Sequence, residues 1–376
     1  MQKYELHFAF CILHSAFPMD DLLPYPFLAI VGQPEMKTAL VLALVNPHIG
    51  GVLLIGPYGV GKTTAVRALA DVMPIVEREE RDEEGKPVLR RGPMRIIELP
   101  LNARLEDVVG GINERVALEQ HRVLLEEGAL AKAHRNLLYI DEINLLDAQV
   151  VDAILDAAAQ GRTFVRRGPM TRLYPSQFVL VGSMNPEEGT LRPQILDRLG
   201  LRVWVAPLAD RAQRLEVYRR ARAFREDPQA FRARYADELA RLKQEVAAAR
   251  EILPHVTIAP EAEEFALGCI QALNIPSHRA EISLLEGARA RVAADYRTQV
   301  TVEDVRIVAP LALRQRRSSR LEAYAEQVSV EDQTIAAALE QVGAAGKNGR
   351  ARRRTENHPA GTRPRTGKRP TTDEKP

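Results

Sequence analysis

Between residues 28 and 207, short runs of consecutive apolar residues alternate with stretches whose apolar positions recur every three or four residues. A run that is apolar at every position belongs to a strand buried on both faces, the signature of a parallel sheet covered by helices. Five mainly apolar runs stand at 52–55, 94–99, 137–140, 178–182 and 202–205, interrupted by charge at Arg95, Glu98 and Arg202. The charged run 77–86 reads as a solvated loop between the first helix after the sheet entry (65–72) and the second strand. Segments 163–167 and 171–174 flank Gly168-Pro169, which predicts a hairpin projecting from the sheet. After Pro207 the strands stop. Phe231, Tyr235, Leu239, Leu242, Val246 and Ala249 share one helical face, predicting a single helix of about seven turns. Further helices are expected at 261–272, 280–296 and 302–314, the last capped by Thr301 with Asp304 three residues on. The pattern predicts an α/β domain over 27–207, a parallel sheet sandwiched by helices, followed by an all-α domain over 208–342. No internal repeat interrupts it.

Composition changes this picture only at the two ends. The formal charge of the 376 residues is +2, yet residues 346–376 hold ten lysines and arginines against three acids. The folded part is therefore net acidic, and the basic character belongs to the tail. Rich in Pro, Gly and Thr and almost without apolar residues, the 343–376 segment reads as a disordered solubilising extension rather than a nucleic-acid arm. At the other end, 1–26 reads as an extension. Its apolar stretch is broken by His7 and His14 and lacks a cleavage signal, so it is not read as a signal peptide, and Met19 is an alternative start. Two cysteines, Cys11 and Cys269, give no disulfide framework and suit a reducing, cytoplasmic setting. No stretch reaches the ~18 apolar residues of a membrane span.

The chemistry begins where the first strand ends. Gly56-Pro57-Tyr58-Gly59-Val60-Gly61-Lys62-Thr63-Thr64 follows a buried strand and opens onto a helix. Without those flanks it would be no more than a glycine-rich turn. With them, inward-curling amides and the helix N-terminus cradle phosphate oxygens, Lys62 reaches the β- and γ-phosphates, and the Thr63 hydroxyl ligates Mg²⁺. The predicted ligand is ATP with Mg²⁺. A second strand, Leu137-Leu138-Tyr139-Ile140, ends in Asp141-Glu142 at the edge where open α/β sheets bind ligands. Asp141 would hold Mg²⁺ through its water shell and Glu142 would orient the attacking water; the alternative is an Asp that caps the next helix. Asn185, after the strand 178–182, is either a hydrogen-bonding partner of that water or a turn former before Pro186. Arg198 is either an arginine delivered to the γ-phosphate of a neighbouring subunit or one half of a surface salt bridge. Arg279, at the start of a later helix, can fold over the same phosphate. The eight histidines and two cysteines show no metal-ligand spacing.

These elements, in this order, resemble the AAA+ ATPases. The strings between them are narrower and resemble magnesium chelatase subunit I: Ile30-Val31-Gly32-Gln33, Leu99-Pro100-Leu101-Asn102-Ala103, Gly128-Ala129-Leu130-Ala131-Lys132-Ala133-His134-Arg135 and Asn185-Pro186-Glu187-Glu188-Gly189. The match runs over about residues 27–330. It implies a P-loop NTPase sheet with a helical lid, and a homo-oligomeric, hexameric ring working with a D-type ATPase-like subunit. A third, large subunit would bind protoporphyrin IX and receive Mg²⁺ into it, the first committed step toward chlorophylls. The resemblance also implies that Ile30, Val31 and Gly32 line the adenine site, and that 99–134 and the 163–174 hairpin are family-specific inserts. The sequence departs from the family at Pro57-Tyr58 in the cradle, at Leu199 after Arg198, and at Ser277-His278 before Arg279. None of these removes a catalytic group. Three other readings remain: a MoxR-like chaperone ATPase working with a von Willebrand-type partner, an ATP sensor without turnover, and a nucleic-acid-remodelling ATPase. The last is disfavoured by the acidic folded part.

Overall fold

The computed structural model describes residues 23–81, 87–112, 125–167, 170–317, 330–331 and 333–335. The expectations for 1–22, for the tail and for the Gly168-Pro169 turn lie outside them. Residues through Arg317 form one compact unit, distinct from Ser318–Pro376.

In chain order the first half comprises α1 (Pro34–Val45), β1 (Val52–Ile55), α2 (Lys62–Ala68), β2 (Ile75–Arg81), β3 (Pro87–Pro93), β4 (Ile96–Leu99) and α3 (Leu105–Val109). Then come β5 (Gly110–Ile112), β6 (Leu125–Glu127), α4 (Ala129–Lys132), β7 (Leu137–Ile140), α5 (Ala148–Gln160), β8 (Arg162–Arg167) and β9 (Met170–Pro175). β10 (Val179–Met184), α6 (Pro193–Arg198) and β11 (Leu201–Trp204) complete the α/β part. The helical part holds α7 (Arg211–Glu226), α8 (Pro228–Ala233), α9 (Ala236–Ile252), β12 (Thr257–Ile258), α10 (Pro260–Ala272), α11 (His278–Ala294), β13 (Gln299–Val300) and α12 (Val302–Leu313).

The central sheet is five-stranded, in the order β11-β1-β10-β7-β4, and every pairing in it is parallel. Its apolar runs are continuous because successive side chains enter two different cores. Val52 and Leu54 of β1 pack in one, with Tyr139, Val181 and Val203, while Leu53 and Ile55 pack in the other, with Leu138, Ile140 and Leu180. The change from α/β to all-α comes after Pro207, but the core does not part there: Leu284, Ala288 and Val308 of the later helices share a cluster with Leu201 and Val203 of β11. With β1 between β10 and β11, the chain leaves the sheet in opposite directions on either side of β1. That opens a crevice at the carboxyl edge.

Two expectations need correction. The run 77–86 is not all loop, since Glu77–Arg81 lies in β2, paired antiparallel with β3. A ribbon rich in charged residues looks like a loop to a hydropathy pattern, while Val76 packs against the core. The single seven-turn helix is likewise two helices: Tyr235 stands between α8 and α9 with ψ 0°, and the apolar face continues across the break. Pro228 starts α8 at its first turn, with Asp227 accepting from Ala230 N. The pattern also missed α7, which has no buried residue and is laced by i,i+4 pairs Glu216–Arg220 and Glu226–Arg222. The expected hairpin forms as β8–β9, with Thr163 opposite Tyr174.

The cap at α12 is as expected. Asp304 accepts from the Thr301 amide at 2.9 Å and the Thr301 hydroxyl at 2.8 Å, and Arg297 completes its shell. Burial alone would raise this carboxyl; the Arg297 guanidinium and the Thr301 donors outweigh it and hold it at about 2. Asp304→Asn is expected to cost roughly 1–3 kcal/mol at neutral pH, as a lost cap that leaves buried donors poorly paired. Because the folded-state pKa is depressed, that difference should be full above the ordinary value of 3.8 and fade as pH falls toward about 2. Urea melts of both proteins across that window check it.

Candidate functional site

The loop after β1 is built by close approach. A Cβ at Gly56 would sit 2.3 Å from the carbonyl oxygen of Val205, so only glycine lets β1 pass β11 here. Gly61 caps α2 at φ +89°, and a Cβ there, or on Gly59, would meet nothing within 4 Å. The loop therefore encloses open space bounded by backbone amides, the geometry that receives phosphate oxygens. Lys62 is buried, its ammonium donating to the carbonyls of Gly56 and Pro57. Burial pulls its pKa down, and Asp141, Glu142 and Glu188 pull the other way. Val60 packs on the core beneath the loop, while Thr64 and Tyr58 face outward.

Asp141 is no helix cap. Thr63 Oγ1 donates to its Oδ2 at 3.0 Å, Tyr139 OH to its Oδ1 at 2.9 Å, and Ser183 Oγ to the same Oδ1. Tyr139 also reaches Thr63 at 3.2 Å, and burial pushes its phenol well above the ordinary tyrosine value. Ser183 accepts from the Glu142 amide at 3.1 Å, and Glu142 itself takes the left-handed conformation, φ 51°. A non-glycine residue held there stores strain of about 1–3 kcal/mol, which the three-way grip on its neighbour sustains. Burial, then the charges of Glu188 and Asp141, raise the Glu142 carboxyl above its ordinary range. Tyr58 hydrogen-bonds Glu188 and is pushed up to about 12, chiefly by that carboxylate.

The oxygen donors present fit a magnesium ion carried by a triphosphate. Thr63 and Asp141 offer one hydroxyl and one carboxylate, and such ions keep several waters and phosphate oxygens as ligands. Three carboxylates, Asp141, Glu142 and Glu188, act on the single Lys62 ammonium, so added positive charge is favourable. Among the described residues no group of three or more His, Cys, Asp or Glu could hold a metal by itself.

Asn185, 1% exposed just after β10, makes the contact of a turn former. Its Oδ1 accepts from Glu187 N at 3.2 Å, shaping the turn, and Tyr58 hydrogen-bonds it beside Glu142. The segment Ile30-Val31-Gly32 is half-buried and tied to the chain after β11: Gln33 Nε2 donates to Ala206 O at 2.7 Å, and a Cβ on Gly32 would meet Leu208 at 2.8 Å. Arg198 and Arg279 lie elsewhere. Arg198 pairs with Asp156 of α5, and Arg279 donates to Asp197 of α6 at 3.2 Å. Sequence reasoning missed Tyr139, Ser183 and Glu188. The signal for the first two was present: Tyr139 and Asp141 share a strand face, and Ser183 is a polar residue inside the buried run of β10.

Comparison with known proteins is consistent along the chain. The family "Magnesium chelatase, subunit ChlI" matches residues 26–194, and an AAA lid domain matches 268–338. A magnesium-chelatase subunit ChlI homolog of Methanocaldococcus jannaschii is 42% identical over 307 residues, 77% of this chain and 84% of that one. The magnesium-chelatase 38 kDa subunit of Chlorobaculum parvum is 40% identical over 316 residues, 78% and 91% of the two chains. A crystal structure from Cytophaga hutchinsonii, 21% identical, covers 80% of this chain and 89% of its own at TM-score 0.53, a likeness of fold alone. Among the described residues no helix is long and apolar enough to cross a membrane. With the phosphate-binding loop, the paired acids and this identity over most of its length, the chain belongs to the magnesium chelatase subunit I family of AAA+ ATPases.

Proposed function

We propose that the chain is the ATP-hydrolysing motor subunit of a magnesium chelatase. The observation that carries this reading is the contact between Thr63 and Asp141, which locks the phosphate-binding loop to the strand that ends in Glu142. In this reading the amides around Gly59–Gly61 and the Lys62 ammonium bind the β- and γ-phosphates, and Ile30, Val31 and Gly32 face the adenine. Thr63 and Asp141 would hold Mg²⁺, Asp141 through water, and the ion would supply positive charge against that of the phosphates.

Glu142 then orients the attacking water and draws its proton, aided by a carboxyl pKa raised toward the working range. Asn185 holds the same water from the neighbouring strand. Arg198 completes the site of the adjacent subunit in a hexameric ring, and Arg279 reports the γ-phosphate within its own chain. An arginine so placed contributes ~10³–10⁵ in rate. The relatives are named as subunits, which supports work in an assembly. The proposed partners are a D-type ATPase-like subunit and a large subunit that binds protoporphyrin IX and receives the Mg²⁺ substrate.

Glu142→Gln should bind ATP and assemble like the parent while losing about 10²–10⁴-fold in kcat. Arg198→Ala should bind ATP and also lose turnover, and mixing the two variants should restore part of it, because each supplies what the other lacks. Steady-state ATPase assays on single and mixed proteins check this; a Glu142→Gln protein with parental kcat would refute the assignment. Glu188→Gln removes one of the charges that raise the Glu142 carboxyl. Since catalysis needs Glu142 ionised, the acid limb of its kcat–pH profile should move to lower pH than in the parent.

A further inference from the structure

The helix that carries Arg198 ends in an unusual setting. Arg316, just after α12, has a side chain with 0% exposure. Its Nη1 donates to the backbone and carboxylate of Asp197 at 3.2 and 3.0 Å, and its Nη2 to the carbonyls of Leu199 and Gly200 at 3.2 and 3.1 Å. A second buried guanidinium, Arg202, donates to Leu196 O in the same stretch and to the carbonyls of Arg314 and Gln315. Arg316 thus clasps Asp197, Leu199 and Gly200 from the helical part, on both sides of Arg198, while Arg202 of β11 holds Leu196.

Burying two like charges side by side is a poor way to stabilise a core, because apolar residues of similar size usually do as well or better. What ion clusters of this kind can supply is a fixed geometry. Here the guanidinium fork satisfies the carbonyls at the C-terminal end of α6, where positive charge is favoured and backbone acceptors have no partner within the helix. Only a planar, multi-donor cation spans Asp197, Leu199 and Gly200 together. Asp197 also links the clasp to the predicted phosphate reporter, since its Oδ2 accepts from Arg279 while Oδ1 accepts from Arg316.

We propose that Arg316 is a positioning residue for Arg198: it holds the end of α6 against the helical part so that the Arg198 guanidinium is aimed at the neighbouring subunit's nucleotide. The proposal rests on the reading that Arg198 acts in that site. Arg316 touches no substrate, and its effect passes through Asp197, Leu199 and Gly200.

The test uses the full chain carrying Arg316→Met, with Arg316→Lys as the variant that keeps the charge but loses the fork. Both should bind a fluorescent ATP analogue with parental affinity and show a parental KM. Their kcat should fall about 10²-fold, the cost of a small misplacement of a reacting group. Mixing Arg316→Met with Glu142→Gln protein should restore turnover, since the second supplies well-aimed Arg198 side chains to the intact acids of the first. A merely structural residue would instead lower affinity and kcat together, with no gain on mixing, and that result would overturn the proposal. So would a parental kcat in the lysine variant, which also decides the matter if the methionine variant does not fold. Arg198→Ala measured alongside separates two failures. If it keeps parental kcat, the role of Arg198 falls and this inference with it; if it loses kcat while Arg316→Lys keeps it, only the positioning role falls.

Discussion

The carboxylate of Asp141 is where the sheet and the phosphate-binding loop meet. Thr63 belongs to the first turn of α2, Tyr139 to β7 and Ser183 to β10, and all three donate to that one group. The grip fixes the loop relative to the sheet, and it fixes the orientation of the next residue, Glu142, in a conformation most residues avoid. Without it the left-handed turn at Glu142 would have little reason to persist, and the Glu142 carboxylate would lose its direction. The groups in direct contact with this anion are hydroxyls rather than a cation. That leaves its charge available to a metal, whereas a lysine or arginine at Ser183 would have neutralised the site from within.

The same arrangement explains why the site carries an excess of negative charge. Asp141, Glu142 and Glu188 surround one lysine whose own pKa burial pulls down. Such a cluster is costly by itself, and a bound cation would offset it. Tyr58 donates to Glu188 beside these groups.

Much of this was legible in the sequence because the groups that act on phosphate are local. The loop, Lys62 and Thr63 are contiguous, and strands buried on both faces announce themselves as unbroken apolar runs, so their carboxyl ends could be read off with Asp141, Glu142 and Asn185. Partners that meet only through strand pairing were harder. Ser183 reaches Asp141 because Gly182 pairs with Ile140, and no hydropathy pattern contains that register. The break at Tyr235 was hidden since α8 and α9 carry one apolar stripe across it, and α7 was hidden since it has no stripe. The ribbon of β2 and β3 is held by backbone pairing under charged side chains, the one case in which a strand and a solvated loop have the same composition.

In the proposed function, Arg198 and Arg279 act away from the partners they hold in this structure. Both are paired with acids of their own chain, Asp156 and Asp197, at surface positions where such pairs contribute little to stability, about 0–1 kcal/mol. A weak partner holds a guanidinium extended and solvated at little cost when it leaves, which suits a group that must move to a phosphate. The buried arginines are the opposite case. Arg202 and Arg316 have given up water for backbone carbonyls, cannot leave without stranding those acceptors, and so act as fixed points. If Arg198 and Arg279 act as proposed, they are the movable charges and Arg202 and Arg316 the frame on which they are mounted.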